Sequence, residues 1–217
     1  MNHGLVILVG VGRGFGIALA ESFGKVGYDI VLMGRDFIKL EKESLSILER
    51  IPNIKIYTVC IDVTDSDSVN KAFGEVKRLK LPVACLIYNA VARRSMKPSE
   101  LTTAEVMKDL EVNLGGAVSC THQVLRLFKE QASGTIIFTG GGVAITPSLI
   151  ASSMSVGKAA LRNYAINLHN ELRDSNVFVG TVTITQPVQE GTKYSPDFIA
   201  EQFFKMFSER KNAEMIV

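Results

Sequence analysis

The chain has 217 residues, of which 47% are hydrophobic and 21% are charged, with 18 glycines, 6 prolines and no tryptophan. These proportions are typical of a globular protein with one substantial core, and they exclude a largely disordered or collagen-like chain. The 24 basic and 22 acidic residues give a formal net charge of +2, which argues against nucleic acid and against an anionic membrane surface as partners.

Six apolar segments rich in β-branched residues predict strands buried on both faces. They are Leu5–Val9, Ile30–Met33, Ile54–Ile61, Val83–Tyr88, Thr135–Thr139 and Val177–Ile184. Helical spacing lies between them at Phe15–Val26, Phe37–Arg50, Ser66–Lys80, Thr103–Glu130 and Ser153–Ser175, and a last helix at Pro196–Glu209 precedes an edge strand at Met215–Val217. Alternating strands and helices predict an α/β protein with a doubly wound parallel sheet of six to seven strands, in three α/β/α layers. No repeat or linker divides the chain, so we expect residues 1–217 to form a single domain.

The apolar segment nearest the N-terminus, Leu5–Val9, is too short to span a membrane and lacks the basic region of a signal peptide. We therefore expect a cytoplasmic protein with no membrane partner. The widely separated cysteines Cys60, Cys85 and Cys120 lie in apolar contexts, which favours reduced core thiols over a disulfide. The three histidines show no ligand spacing, so no metal site is predicted.

The first strand leads directly into a glycine-rich turn, Gly10-Val11-Gly12-Arg13-Gly14-Phe15-Gly16, and a helix follows at once. Glycines in such a turn let the backbone approach a pyrophosphate, which the free N–H groups of the helix N-terminus then bind. A turn without a ligand would need the same glycines, and a flavin or a nucleotide sugar would suit it as well as a nicotinamide nucleotide. The turn therefore predicts a phosphate site of open identity.

The spacing of Gly10, Gly14 and Gly16 resembles the short-chain dehydrogenase/reductase family, whose members have a Rossmann-like fold. Further matching positions follow in the family's order across nearly the whole chain. They are Asp62-Val63 after the third strand, Asn89-Ala90 after the fourth, Asn113, Lys158, and Pro187 with Thr192 after the sixth strand. Because Asn113, Lys158 and Pro187 extend the match to the nicotinamide half of the site, the resemblance argues against another phosphorylated ligand.

The resemblance also implies roles for these positions. Asp62 would contact the adenine, Asn89 and Ala90 would line the adenosine side of the cleft, and Thr192 would approach the nicotinamide carboxamide. A turn-capping role for Asp62 or Asn89 is the structural alternative.

The end of the second strand predicts which nucleotide binds. A carboxylate there would accept hydrogen bonds from the ribose hydroxyls of NAD and repel the 2′-phosphate of NADP. This chain instead has Gly34 followed by Arg35, and Arg13 lies in the glycine-rich turn. Guanidinium groups bind phosphate through paired, charge-assisted hydrogen bonds. We therefore expect NADP(H) to be preferred over NAD(H), with Asp36 capping the next helix rather than binding ribose.

The family transfers a hydride between nicotinamide and a carbonyl or alcohol carbon, and a tyrosine passes the proton. In that family a lysine four residues later lowers the pKa of the tyrosine and binds the nicotinamide ribose, a serine holds the substrate oxygen, and an asparagine supports a proton relay. Asn113 matches the asparagine and Lys158 matches the lysine, so both are candidate catalytic residues. The tyrosine position falls on Met154, however, and the serine position falls on Gly141. Methionine neither donates nor accepts this proton.

Two interpretations remain. In the first, the protein is an oxidoreductase of a small carbonyl or alcohol substrate with another proton donor. The candidates are Ser153, Ser155, Thr139, Tyr88, Tyr194 and a water molecule held by Lys158. In the second, the chain binds NADP(H) without catalysis and serves as a sensor, a scaffold or a partner subunit.

The long predicted helices Thr103–Glu130 and Ser153–Ser175 have apolar residues on more than one face. In similar proteins these two helices pair across a two-fold axis, so the resemblance implies a homodimer. The alternative is that the same residues only cover the sheet.

Overall fold

The computed structural model describes residues 3–12 and 14–217. The sheet contains seven strands, β1 to β7, and every neighbouring pair is parallel. Their bounds are Leu5–Val9, Asp29–Gly34, Ile56–Cys60, Val83–Tyr88, Gly134–Gly141, Val177–Ile184 and Glu214–Ile216. The order across the sheet is β3-β2-β1-β4-β5-β6-β7. The predicted α/β Rossmann-like doubly wound parallel sheet is confirmed, including its edge strand.

Seven α-helices, α1 to α7, connect the strands of the described chain. Their bounds are Phe15–Gly24, Phe37–Arg50, Ser66–Arg78, Thr103–Leu110, Gly116–Gln131, Ser152–Leu172 and Pro196–Glu209. Short 3-10 turns at Pro98–Glu100 and Gly142–Ala144 precede α4 and follow β5. None of these helices is long and apolar enough to cross a membrane.

Strand β1 shows why the strands lack polar alternation. All five of its residues are buried. Leu5, Ile7 and Val9 enter the core on the side of α3, α5 and α6, whereas Val6 and Leu8 enter the core on the side of α1, α2 and α7. Because helices cover both faces of the sheet, apolar side chains are required at consecutive positions.

The helical stretch predicted over Thr103–Glu130 is present, but it is not one uninterrupted α-helix. Helices α4 and α5 are separated by a π-helical turn at Glu111–Gly115, which shifts the register of the backbone hydrogen bonds. Asn113 lies in this turn with its side chain bonded to the loop after β4. Helical spacing in the sequence does not reveal such an inserted turn.

The cysteine prediction is correct for two of the three residues. Cys85 and Cys120 are buried thiols, whereas Cys60 is exposed at the end of β3, one of the two edge strands of the sheet. All three are free of disulfides. Within the described residues, no cluster of three or more His, Cys, Asp or Glu side chains is placed to hold a metal ion.

Some residues of the predicted dimer helices cover the sheet, and others face outward. Phe128, Leu161, Ala165 and Leu168 are buried in the core beneath the sheet, so they cover it. Ala159 is exposed. The homodimer stays a prediction.

Candidate active site

A cleft of about 1040 Å³ lies at the carboxyl ends of the strands, where the chain order reverses between β1 and β4. Ligands of open parallel sheets bind at such a reversal point. Most of the predicted site residues line it: Gly10, Gly14, Phe15, Gly16, Arg35, Asp62, Val63, Asn89, Ala90, Lys158 and Pro187. Arg13 lies outside the described residues. The volume of the cleft lies at the upper end of the range of about 300–1,000 Å³ that is usual for small-molecule and cofactor sites.

The glycine-rich turn is held against the loop that follows β4. The Nδ2 group of Asn89 donates to the Gly10 carbonyl at 2.8 Å, and the Asn89 backbone N–H donates to Val9 at 2.8 Å. Gly14, at φ 78°, is the N-cap of α1. The Asn89 side chain thus closes the turn, which is its structural role. Asn89 also lines the cleft, as predicted.

We expect Gly10→Ala to destabilise the protein by about 3 kcal/mol or more. Gly10 has φ 87°, and a Cβ there would lie 2.4 Å from the Ala90 backbone nitrogen. The matched control is Gly12→Ala, because a Cβ at that position meets no described atom within 4 Å. Urea unfolding without nucleotide measures the difference. Equal stability of the two variants would contradict the tight approach of Gly10 and Ala90.

At the end of β2, Gly34 takes the place at which an NAD-selective site would have a carboxylate, and a guanidinium follows it. Arg35 lines the cleft directly after Gly34, the last residue of β2. Asp36 caps α2, with its carboxylate accepting from the Lys39 N–H at 3.0 Å, as its predicted capping role requires. Asp62 accepts hydrogen bonds from the Thr64 N–H and hydroxyl, which lower the pKa of its carboxyl together with the nearby charge of Arg35.

Lys158 is the central polar group at the inner end of the cleft. It is 6% exposed, and its ammonium donates to the Thr139 carbonyl at 2.6 Å. Burial, with a further contribution from the positive charge of Arg93, lowers the pKa of Lys158 to about 8. Near neutral pH, this ammonium therefore gives up a proton far more readily than an exposed lysine does.

Both atypical positions lie beside Lys158. Met154 is one helical turn earlier on α6 and lines the cleft. Gly141, the last residue of β5, also lines it, and a Cβ there would lie 3.7 Å from Cγ of Lys158. The structure thus brings together the positions at which the resemblance expects a tyrosine, a serine and a lysine.

Asn113 acts on the backbone rather than on the cleft surface. Its Oδ1 accepts from the Ala92 N–H at 2.8 Å, and its Nδ2 donates to the Ala92 carbonyl at 3.2 Å. It is buried at 1% exposure. This pairing holds the loop after β4 in place, and a direct part of Asn113 in proton transfer stays a prediction.

Most of the candidate proton donors point elsewhere. The Tyr88 hydroxyl is buried and donates to the Val112 carbonyl at 2.6 Å, and burial raises the pKa of its phenol. Ser153 donates to Asp109, and Ser155 donates to the Ala151 carbonyl. Among the candidate side chains in the described chain, Thr139 lines the cleft, as does Lys158, which was predicted to hold a donor water molecule. The Thr139 hydroxyl is buried without a described partner. The Lys158 ammonium has further N–H bonds besides the one that it donates to the Thr139 carbonyl.

Thr192 and Tyr194 line a smaller, adjoining cavity of about 450 Å³, which shares Gln186 and Pro187 with the cleft. The Thr192 hydroxyl donates to the Gln189 carbonyl at 2.8 Å and accepts from the Tyr194 N–H at 3.0 Å. The structure therefore does not bring the Thr192 side chain into the main cleft, and its contact with a nicotinamide stays a prediction.

The sequence model of the short chain dehydrogenase family matches residues 4–192. The chain belongs to this family. Among the curated short-chain dehydrogenase relatives, sulfoacetaldehyde reductase 2 of Chromohalobacter salexigens is 27% identical over 82% of this chain and 70% of its own. A 3-oxoacyl-acyl-carrier-protein reductase of Aquifex aeolicus is 27% identical over 81% of this chain and 71% of its own.

Solved structures of short-chain dehydrogenases share the fold. L-sorbose reductase of Gluconobacter frateurii, complexed with NADPH and L-sorbose, superposes with a TM-score of 0.91 at 20% identity, covering 100% of this chain and 95% of that one. An NADPH-bound short chain oxidoreductase of Pseudomonas aeruginosa PAO1 with an atypical catalytic center has a TM-score of 0.89 at 16% identity, covering 99% and 95%. The cleft of this short-chain dehydrogenase thus lies in a fold that binds NADPH in these two neighbours.

Sequence reasoning missed two adjacent arginines in the loop after β4. Arg93 lines the cleft. Arg94 donates from Nε and Nη2 to Asp109 at 3.0 and 3.2 Å and from Nη1 to Glu105 at 3.1 Å. The signal was the Arg93-Arg94 pair so soon after Asn89-Ala90, but the sequence does not show which arginine forms the ion pair and which faces the cleft.

Proposed function

We propose that the protein is an NADP(H)-dependent oxidoreductase that reduces a carbonyl compound with the Lys158 ammonium as its proton donor. The observation that carries this proposal is the buried position of Lys158 in the cleft, beside Met154 and Gly141. NADPH, when bound, supplies the hydride.

The chain's own residues supply the other requirements of the reduction. Gly10, Gly14 and the N-terminus of α1 would hold the pyrophosphate, and Arg35 would bind the 2′-phosphate. An ammonium has three N–H bonds, and the Thr139 carbonyl takes one of those on Lys158. A second bond is free to point at the substrate oxygen, either directly or through one water molecule. As the carbonyl oxygen gains negative charge it takes this proton, which leaves Lys158 as a neutral amine until solvent protonates it again.

NADPH absorbance tests this function in purified protein with a panel of aldehydes, ketones and quinones. We expect oxidation of NADPH that depends on the carbonyl compound, and the reverse reaction with the matching alcohol. Tight NADPH binding without turnover across the panel would contradict the proposal. That outcome would support the second candidate, an NADP(H)-binding sensor, scaffold or partner subunit without catalysis, which Met154 and Gly141 favour because they provide no hydroxyl.

We expect Arg35→Glu to weaken NADPH binding by about 100-fold and NADH binding by less than threefold. The change replaces a phosphate ligand with a repelling carboxylate, and only NADPH has the 2′-phosphate. Fluorescence titration with both nucleotides measures it, and Arg78→Glu at the far end of α3 is the control. Equal losses for the two nucleotides would rule out a 2′-phosphate contact by Arg35.

We also propose that the protein is a homodimer, that it is cytoplasmic, and that residues 1–217 form a single domain. The α5 and α6 surfaces are where a second copy would pack. Light scattering coupled to gel filtration at micromolar concentration tests the dimer, and a monomer mass would contradict it.

A further inference from the structure

We propose that Arg93 recognises an anionic group on the substrate, so that the protein acts on carbonyl compounds that bear a carboxylate, sulfonate or phosphate. This inference rests on the proposed function, because it names the substrate class of the same cleft. It begins from a cationic side chain that the nucleotide-binding positions leave unused.

The backbone on both sides of Arg93 is fixed. Asn113 bonds to both the N–H and the carbonyl of Ala92. On the other side, Arg94 is held by Asp109 and Glu105, and Asp109 also accepts from the buried Ser153 hydroxyl at 2.6 Å. Although burial opposes it, these hydrogen bonds from Arg94 and Ser153 keep the pKa of Asp109 below its usual value, so the anchor stays charged. Arg93 is therefore presented to the cleft from a rigid loop.

The Arg93 guanidinium lacks a counter-ion in the described chain, because no ion pair there includes it. Its neighbour in sequence, Arg94, forms ion pairs with the nearby carboxylates of α4. Among the described groups, Arg93 is the charge that shifts the pKa of Lys158, which places the two cations within electrostatic reach of each other. Two cations at one end of a cleft attract an anion rather than a neutral ligand.

Two of the three carboxylates that line the cleft are engaged on its β2 and β3 side, and none of the three forms an ion pair with Arg93 in the described chain. Asp36 caps α2, and Asp62 accepts hydrogen bonds from Thr64. Both follow strands on the β2 and β3 side of the sheet, whereas Lys158 lies beside β5. Glu190 follows β6 and is exposed. A guanidinium binds a planar oxyanion through two parallel hydrogen bonds, which fixes the orientation of the substrate as well as its affinity.

Calorimetry on the NADP⁺-loaded protein tests this inference without carbonyl reduction, since the oxidised nucleotide has no hydride to give a carbonyl. An unchanged nicotinamide absorbance checks that the hydroxyl groups of the glyceraldehyde pair are not oxidised. Each anion is compared with a neutral partner of similar shape: pyruvate with methyl pyruvate, 4-oxobutanoate with its methyl ester, and glyceraldehyde 3-phosphate with glyceraldehyde. We expect at least one anion to bind about tenfold or more tightly than its partner. The three pairs also distinguish carboxylate from phosphate and a short from a longer spacing.

The variants assign the preference to Arg93. Arg93→Gln removes the charge, and we expect it to bring each pair to within about threefold, whereas Arg93→Lys retains part of the preference. Arg78→Gln, at the exposed end of α3, is the control and leaves the preference unchanged. Because Arg93 is exposed, both of its variants should unfold at the wild-type temperature.

Three results would overturn the inference. They are equal binding of anion and neutral partner in the wild type, an anion preference that survives Arg93→Gln, and a loss confined to NADP⁺ affinity, which would make Arg93 a nucleotide ligand. Failure of the proposed function is distinguishable, since it would appear as anion binding that depends on Arg93 without NADPH oxidation.

Discussion

The double variant Gly141→Ser/Met154→Tyr is expected to reduce carbonyl compounds about 100-fold faster than the wild type, or more. Tyrosine at position 154 would place a phenol one helical turn from Lys158, whose positive charge would lower the pKa of that phenol. Serine fits at position 141 because the backbone is extended there and a Cβ has ordinary contact distances of 3.7 Å or more. Both new hydroxyls would face the substrate oxygen.

The matched control is Gly141→Ser/Met154→Phe, which fills the same space without the phenolic proton and should show no comparable gain. NADPH titration of both variants shows that the nucleotide site is intact. If the tyrosine variant binds NADPH normally yet turns over no faster than the phenylalanine variant, the substitutions at 141 and 154 are not what limits this enzyme, and the arrangement around Lys158 is already the working one.

The fold was predictable from this sequence because its strands are buried on both faces. Uninterrupted apolar segments are distinctive, and α2, β4 and α7 begin and end at the predicted residues. Helical spacing did not predict the π-helical turn at Glu111–Gly115, in which Asn113 makes contacts that are distant in sequence. The fit of Asn113 against Ala92 and Gly157 is one such contact: a Cβ on Gly157 would lie 2.6 Å from Cβ of Asn113.

The site was predictable where a motif fixes the backbone, and less so where it depends on side-chain direction. Gly10, Asn89 and Lys158 lie together as the spacing implied. Spacing alone did not show that the hydroxyls of Tyr88 and Ser153 point away from the cleft, nor that the Thr192 hydroxyl closes a turn of its own. The packing of each side chain, which spacing does not reveal, decides which of the candidate groups line the cleft.

Lys158→Met is expected to lower kcat/KM for carbonyl reduction by about 100-fold or more, since it removes the proposed proton donor and a predicted nucleotide contact together. The pH dependence of kcat tests the role of Lys158 as proton donor separately from its nucleotide contact. In the wild type, reduction needs the protonated amine, so we expect kcat to fall as the pH rises above about 8, the pKa of Lys158. Arg93→Gln removes a positive charge near this amine, and should therefore move the fall to higher pH. A wild-type profile that stays flat up to pH 9.5 would contradict proton donation by Lys158.

The same substitution is expected to stabilise the protein at neutral pH. The pKa of Lys158 is lowered from 10.5 to about 8 on folding, so between these values the unfolded chain holds a proton that the folded chain has released. Stability of the wild type therefore rises with pH across this window, and the buried ammonium costs most below pH 8. Each pKa unit corresponds to about 1.4 kcal/mol, and the lost bond to Thr139 offsets about 1 kcal/mol. At pH 7 the free energy of unfolding of Lys158→Met should thus be about 2 kcal/mol higher than that of the wild type.

That advantage should vanish near pH 10, where the folded wild type carries a neutral amine and retains its bond to the Thr139 carbonyl. Lys71→Met, at an exposed position of α3, is the control and should show no such pH-dependent difference. Urea unfolding at pH 7 and pH 10 measures both variants. An advantage of the same size at the two pH values would come from apolar packing alone, and the folded protein would then hold Lys158 as an ordinary charged lysine, unsuited to the proton transfer proposed for it.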